Sequence, residues 1–280
     1  MPMQTLKQAL LDAQAQGLAR IDAQLLLLHT LGRDPNDRAW LLAHDTDALP
    51  AEPSTTFNAL CQRRLAGEPV AYLTGHKAFY GLQLRVDARV LDPRPDTETL
   101  VDWALDALHG KTQPQVLDLG TGSGAVALAI QHQRPSAEVH AVDASLAALA
   151  VAQTNAQALG LPVRFLAGSW FQALPNGQRF DAIVSNPPYV AEGDPHLRAL
   201  THEPLSALTS GADGLDDIRT IVAQAGEYLV PGGWLLLEHG HDQGAAVRAL
   251  LRAAGFEAVS TRTDLAGLDR CSGGQWAGRG

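Results

Sequence analysis

Asp118-Leu119-Gly120-Thr121-Gly122-Ser123-Gly124 follows a short apolar run, Val116 to Leu119, and leads into Ala125 to Gln131, whose pattern is helical. A strand that passes through closely spaced glycines into a helix predicts the first β–α turn of a nucleotide-binding sheet. Glycine permits positive φ and lets a ligand approach the backbone. The next predicted strand, Val139 to Asp143, ends on an acid 19 residues after Gly124. In such sheets an acid about 20 residues on takes the ribose hydroxyls. The Gly-x-Gly-x-Gly spacing departs from the Gly-x-Gly-x-x-Gly of dinucleotide folds, and Asp118 stands just ahead of the first glycine. A dinucleotide needs a helix N-terminus facing its pyrophosphate. S-adenosylmethionine has no phosphate and carries an ammonium and a sulfonium, which suit a nearby acid. The expected ligand is therefore S-adenosylmethionine.

Working outward, Val163 to Leu166, Phe180 to Ser185 and Trp234 to Glu238 are further predicted strands, and Phe256 to Ser260 opens a last pair. Leu146 to Ala158, Ile218 to Leu229 and Val247 to Ala254 are predicted helices. This alternation predicts an α/β fold with a doubly wound, mostly parallel sheet from about residue 92 to 280. Residues 74–91 predict a linker hairpin, with Ala78 to Val86 turning at Gly81. Residues 1 to about 73 show helical spacing in Leu6, Leu10 and Ala13, and again in Ile21, Leu25 and Leu28 before Gly32. A further helix starts at Pro53-Ser54 and carries Phe57, Leu60 and Cys61 on one side. The expectation is a small helical bundle with no catalytic constellation of its own.

Asp181-Ala182-Ile183-Val184-Ser185-Asn186-Pro187-Pro188-Tyr189-Val190 is the second informative stretch. A buried strand runs straight into two prolines, which fix φ and donate no hydrogen bond. The chain must leave the sheet as a stiff, extended ledge whose carbonyls accept hydrogen bonds. Asn186 adds a side-chain acceptor and Tyr189 an aromatic face. An amide or arylamine nitrogen is a poor nucleophile. Two carbonyls that accept its N–H groups raise its electron density and aim it for in-line displacement. The expected catalytic residues are Asn186, Pro187 and Tyr189, and the expected substrate is a planar NH2 group.

Composition narrows the partners. The net charge is −9, and residues 74–280 carry 15 Lys and Arg against 22 Asp and Glu. Nucleic-acid binding draws on clustered cations, so a nucleic-acid exocyclic amine (adenine N6 or guanine N2) ranks as the alternative substrate. The two cysteines, Cys61 and Cys271, lack metal-ligand spacing, so no metal is expected. No flavin or haem signal supports a redox role. The start has no apolar signal-like core and no run long enough to span a membrane. A soluble, cytoplasmic protein is expected, monomeric for lack of a heptad or interface stripe. Gly273-Gly274-Gln275 is expected as a glycine-rich turn between the last two strands.

These stretches resemble the release factor glutamine methyltransferases, a protein-(glutamine-N5) methyltransferase family of bacteria and organelles, over nearly the whole chain. Glu68-Pro69-Val70-Ala71-Tyr72-Leu73-Thr74-Gly75 and Leu91-Asp92-Pro93-Arg94-Pro95-Asp96-Thr97-Glu98 belong to the resemblance, with Asp92 where an aliphatic residue is more usual. So do Glu203-Pro204, Asp213-Gly214-Leu215, Glu238-His239-Gly240, Gln243, Asp264 and Arg270. The resemblance implies a Rossmann-like seven-stranded methyltransferase domain preceded by the helical bundle and the hairpin linker. It implies that Gly120, Thr121, Gly122, Ser123 and Gly124 line S-adenosylmethionine, that Asp143 binds its ribose, and that Trp170 packs beside its adenine. Asn186 would touch both the cofactor and the substrate, with Pro187, Pro188 and Tyr189 completing a glutamine pocket. The implied substrate is the Gln of the Gly-Gly-Gln loop of class 1 peptide chain release factors, docked by the helical domain. That loop tripeptide also stands at Gly273-Gly274-Gln275, which raises self-methylation as a sharper alternative to a turn. Arg94 and Glu98 are expected to form a structural ion pair, and no catalytic histidine is named.

Overall fold

The computed structural model describes residues 4–278; the expectations for residues 1–3 lie outside them. The chain divides into two compact units. The first holds the described residues up to His76 together with Ala199–His202. It consists of α1 (Leu6–Ala15), α2 (Arg20–Thr30), α3 (Arg38–Ala43), α4 (Ala51–Leu65) and α5 (Val70–Thr74). Thr5 caps α1 by accepting from the Gln8 amide, which satisfies one of the free N–H groups of the first turn. The core is Leu6, Ala9 and Ala13 against Leu26, Leu27, Leu41, Phe57, Leu60 and Cys61. The stripe on α2 differs from expectation. Ile21 is 50% exposed, and the buried face is Ala23, Leu26, Leu27 and Leu28. In a leucine-rich helix more than one set of positions satisfies the helical period, and packing selects among them. α4 begins at Ala51, ahead of Pro53; a proline in the first turn removes no intrahelical hydrogen bond.

The second unit begins at Lys77, in the hairpin formed by β1 (His76–Phe79) and β2 (Leu82–Arg85). Its turn residues Tyr80 and Gly81 have φ of 48° and 78°. Two central residues at positive φ give a two-residue turn whose twist suits a hairpin. Phe79, Leu82 and Leu84 bury in this unit's own core. α6 (Glu98–Ala107), which the sequence pattern did not reveal, follows. Then come β3 (Gln115–Leu119), α7 (Ala125–Gln133), β4 (Glu138–Asp143), α8 (Leu146–Leu159), β5 (Val163–Ala167) and β6 (Phe180–Ser185). The chain finishes with α9 (Asp216–Ala225), β7 (Leu229–Glu238), α10 (Gly244–Ala253), β8 (Phe256–Thr263) and β9 (Asp269–Trp276).

The seven strands lie in the order β5-β4-β3-β6-β7-β9-β8. β5 through β7 run parallel, and β9 is antiparallel to both its neighbours. Separate apolar clusters cover the sheet: Leu100, Val101, Leu128 and Ile130 in one, Phe171, Ile218, Ile221 and Val247 in the other. The strand order reverses between β3 and β6, and ligands of such sheets bind outside the carboxyl ends there. Ser185 Oγ donates to the Leu119 carbonyl at 2.7 Å and joins the two strand ends at that point.

Two expectations are corrected in this unit. Leu229 belongs to a strand, because α9 ends at Ala225. A Cβ on Gly226 would come within 2.7 Å of the Trp276 ring, and by Leu229 the chain already pairs with Phe180. Gly273-Gly274-Gln275 is not a turn; it lies inside β9. A Cβ on Gly273 would meet Leu236 Cδ2 at 2.5 Å, and one on Gly274 would meet Phe256 Cβ at 2.8 Å. The Gln275 amide donates to the Gly232 carbonyl at 2.8 Å. These glycines are packing positions and the glutamine is engaged, so this copy of the tripeptide is not presented for methylation.

Candidate active site

A cavity of about 330 Å³ opens at the carboxyl ends of β3, β4 and β6. Of the residues expected at a site, Gly120, Thr121, Gly122, Ser123, Asp143, Trp170, Asn186 and Pro188 line it. Gly124, Pro187 and Tyr189 are not in its lining.

The glycine loop forms the floor. Gly120, Gly122 and Gly124 have φ of 71°, 57° and 83°, a region other residues enter only with strain. Gly124 serves packing: its Cβ would lie 3.0 Å from Leu128 and 3.2 Å from Ala152, so it lets α7 sit close to α8. Asp143 Oδ2 accepts from the Gly122 amide and Oδ1 from the Ser145 amide, both at 2.8 Å. The acid at the end of β4 thus fixes the loop and leaves further lone pairs for a diol. Asn155 of α8, which sequence reasoning missed, ties the loop down from behind. Its amide donates to the carbonyls of Ser123 and Arg85, and its oxygen accepts from the Arg85 amide. Trp170 adopts φ of 49°, and its ring lies 3.4 Å from where a Cβ on Gly120 would be. The ring therefore covers the bare backbone of the first glycine.

Asp118 lines the same cavity and is buried. It accepts from Thr121 Oγ1 at 2.6 Å and from the Ala127 amide at 3.2 Å. Burial pushes its carboxyl up to about 7 despite those two hydrogen bonds, with the charge of Asp143 adding to the rise. A buried carboxyl close to a second carboxyl favours a cationic ligand. This donor set fits S-adenosylmethionine: an acid for the ribose diol, a buried acid for positive charge, bare glycine backbone and an indole face.

The ledge forms the far wall. Asn186 Nδ2 donates to Thr97 Oγ1 at 3.2 Å, which leaves Oδ1 as the end open to a ligand. The two prolines predict free carbonyls along the ledge, and two of its carbonyls are taken. Gln243 Nε2 donates to the Tyr189 carbonyl at 3.0 Å, and the Val190 carbonyl accepts from Ser210. The Tyr189 hydroxyl turns inward to Glu238 Oε1 at 3.4 Å. Burial pushes that phenol's pKa up, so it stays a donor.

Arg94 does not pair with Glu98. It bonds Glu203 at 2.5 Å and Asp92 at 3.2 Å, while Glu98 accepts from the Tyr80 amide. Asp92 is also met by Lys77 at 3.1 Å, so the residue that departs from the family pattern is held by two cations. Pro93 and Pro204, beside Arg94 and Glu203, line the cavity, so this pairing joins two of its walls. His239 is fully buried. Its Nδ1 donates to the Gly240 carbonyl at 2.8 Å, which makes Nε2 the acceptor toward Ser272 Oγ at 2.7 Å. Burial lowers its pKa, so it is a neutral structural group. Among the described residues no cluster of three metal-ligating side chains occurs, and no helix is long and apolar enough to cross a membrane.

Residues 97–261 match the family described as Methyltransferase small domain, and residues 4–75 match the PrmC N-terminal domain. The chain is 52% identical over 274 residues to the release factor glutamine methyltransferase of Bordetella pertussis, covering 97% of this chain and 99% of that protein. It is 50% identical to that of Burkholderia pseudomallei, covering 95% of each. Among solved structures, a methyltransferase from Pyrococcus furiosus aligns with a TM-score of 0.52 at 19% identity, covering 78% of this chain and 98% of that one. The 16S rRNA N2 G1207 methyltransferase of T. thermophilus, in complex with AdoMet and guanosine, aligns with a TM-score of 0.55 at 24% identity over 73% of this chain and 50% of that one. These two likenesses concern the fold.

Proposed function

The chain belongs to the release factor glutamine methyltransferase family, and from that premise we propose that it transfers a methyl group from S-adenosylmethionine to the side-chain amide nitrogen of the Gln in the Gly-Gly-Gln loop of class 1 peptide chain release factors. The observation that carries the chemistry is Asn186, whose amide is held by Thr97 so that Oδ1 is the end left for a substrate.

In this reading the substrate NH2 donates one proton to Asn186 Oδ1 and the other to the Pro187 carbonyl. Both hydrogen bonds push electron density onto the nitrogen and aim its lone pair along the cavity. The Tyr189 carbonyl is not an acceptor for it, because Gln243 occupies that oxygen. Pro188 lines the cavity and keeps its wall apolar. When bound, S-adenosylmethionine supplies a methyl group activated by its sulfonium. Asp143 holds the ribose diol, Trp170 packs on the adenine, and Gly120 to Ser123 receive the rest. The nitrogen gains a methyl and then loses one proton to water, so no strong base is needed in the wall. Asp143→Ala is expected to weaken cofactor binding by roughly 10- to 100-fold, the worth of a charge-assisted pair of hydrogen bonds plus a loosened loop. Titration calorimetry checks this, and an unchanged dissociation constant would remove Asp143 from the ribose site.

The helical bundle, residues 1 to about 73, docks the release factor in this reading, and the protein works as a monomer in the cytoplasm. The rival substrate, an exocyclic amine of a nucleic acid, is disfavoured by the acidic balance of residues 74–280. The discriminating experiment offers labelled cofactor with purified release factor or with rRNA and DNA, and locates the methyl by mass spectrometry. Label on the loop glutamine supports the reading, and label only in nucleic acid overturns it.

A further inference from the structure

The ledge that carries Asn186 is tethered at both ends. At its start, Asn186 Nδ2 donates to Thr97 Oγ1 at 3.2 Å. At its end, the Val190 amide donates to the Leu208 carbonyl at 2.9 Å, and the Val190 carbonyl accepts from the Ser210 amide at 3.0 Å. Both tethers lead back to one ion pair. The Thr97 amide donates to the Arg94 carbonyl at 3.1 Å, which closes the short 3-10 turn Pro95–Thr97. From Leu208 the chain runs back through a second such turn, Leu205–Ala207, to Pro204 and Glu203. Arg94 Nη2 meets Glu203 Oε1 at 2.5 Å. Asn186, Val190, Leu208, Glu203, Arg94 and Thr97 thus stand on one closed ring of contacts. Pro93, Thr97, Pro188, Pro204 and Ala207 put the sides of that ring on the cavity.

Stability alone does not account for the pair. The Glu203 side chain is 3% exposed, and its Oε2 is buried with no hydrogen-bond partner. One arm of Arg94 offsets the desolvation of that carboxylate incompletely, and an apolar pair of similar size would serve stability as well. An apolar pair has no direction, however. The guanidinium is planar with its donors in a fixed fork. Its other arm is held by Asp92 at 3.2 Å, and Asp92 is held in turn by Lys77 at 3.1 Å. Arg94 therefore fixes where Glu203 stands within the tolerance of a hydrogen bond.

We propose that Arg94 and Glu203 are positioning residues for methyl transfer: their ion pair closes the ring, and the closed ring holds the Asn186 ledge where the substrate nitrogen needs it. The inference rests on the role given to Asn186 above. At 3.2 Å the Asn186–Thr97 bond lies at the long end of the amide range and does not fix the ledge unaided. With the pair broken, residues 94–97 and residues 203–208 are no longer joined, and each tether of the ledge moves with its own wall. A displacement of about 1 Å at a reacting group costs on the order of 100-fold in rate. Asp143, Trp170 and the glycine loop are not members of the ring, so the cofactor keeps its contacts.

The test is methylation of a saturating release factor, with cofactor affinity measured on the same proteins. Glu203→Leu removes the acceptor and strands no buried charge, because Arg94 keeps Asp92. It is expected to lower kcat roughly 10- to 100-fold with cofactor affinity unchanged. Glu203→Gln, which keeps an acceptor for Arg94, is expected to regain most of the rate. Arg94→Met should match Glu203→Leu, and the double variant should lose no more than either single, because both break one link. Added to Asn186→Ala, Glu203→Leu is expected to cost less than about 2-fold, since the group that the ring holds is already gone. Wild-type kcat in Glu203→Leu, a full multiplicative loss on top of Asn186→Ala, or a loss of cofactor affinity in place of kcat overturns the proposal. If Arg94→Met does not fold, the Glu203 variants and their combination with Asn186→Ala decide alone. Full transfer by Asn186→Ala would instead sink the role of Asn186 itself, and this inference with it.

Discussion

Asn186→Ala is expected to lower kcat for methyl transfer by roughly 100- to 1,000-fold, the range for removing one preorganised polar partner from a reacting centre. The side chain ends a strand and is followed by two prolines, so the backbone that carries it is stiff. Its amide is already oriented by Thr97, so the free enzyme has paid the ordering cost before substrate arrives. Alanine removes the acceptor, and it also leaves the Thr97 hydroxyl without the NH2 it now receives. Cofactor affinity should fall far less, because Asp143, Trp170 and the glycine loop remain. Steady-state kinetics with a release factor, beside calorimetry with the cofactor, separates the two effects. A variant that loses cofactor binding and retains kcat would reverse the assignment and make Asn186 a cofactor ligand only.

Gly214→Ala is expected to cost about 2–4 kcal/mol of stability, summing positive-φ strain and an overlap the backbone cannot relieve. Gly214 has φ of 73°, and a Cβ there would overlap the Tyr189 carbonyl oxygen and come within 2.9 Å of its carbon. The same Cβ would lie 2.8 Å from Gln243 Nε2, the group that holds Tyr189 in place. Gln243 is already committed three ways, to the Tyr189 and Asp213 carbonyls and, through Oε1, to the Gly240 amide. Neither neighbour has room to yield, so relief must come from moving the ledge. A shift of about 1 Å at a reacting group costs on the order of 100-fold in rate. Denaturant titration measures the first loss and kcat the second. A Gly214→Ala protein as stable and as active as the parent would show that this loop is free to move.

Features made by neighbours in the chain were legible in the sequence. The glycine spacing, the acid ending β4 and the prolines after β6 each express a local backbone requirement, and all three sit at the switch point of the sheet. The residues that set the geometry behind them were not legible. Thr97 lies 89 positions from Asn186, Gln243 lies 54 from Tyr189, and Asn155 lies 32 from Ser123. Nothing local marks a threonine at the start of a helix as the partner of an asparagine on a distant strand end. Arg94 shows the same limit in reverse. Glu98 stands four residues away and invited a pairing, but Glu203, 109 residues away, took it. The misplaced end of α9 has a local cause of a different kind. Tyr228 and Leu229 continue an apolar run that suits a helix or a strand, and pairing with Phe180 decided for the strand.

The tripeptide Gly273-Gly274-Gln275 carries a lesson about how an enzyme of this kind recognises its target. The letters of the proposed substrate are spelled out in the protein's own β9, yet there they are mute. Extended between two strands, the glycines have surrendered their freedom to bend, and the glutamine has spent its NH2 on a neighbouring carbonyl. On the proposed reading, the cavity takes an NH2 with both protons still to give, on a segment loose enough to reach past the Asn186 ledge. Specificity of this sort is conformational before it is textual. Across a proteome, Gly-Gly-Gln will occur in many chains, and the copies that count are those left unpaired at the tip of a loop.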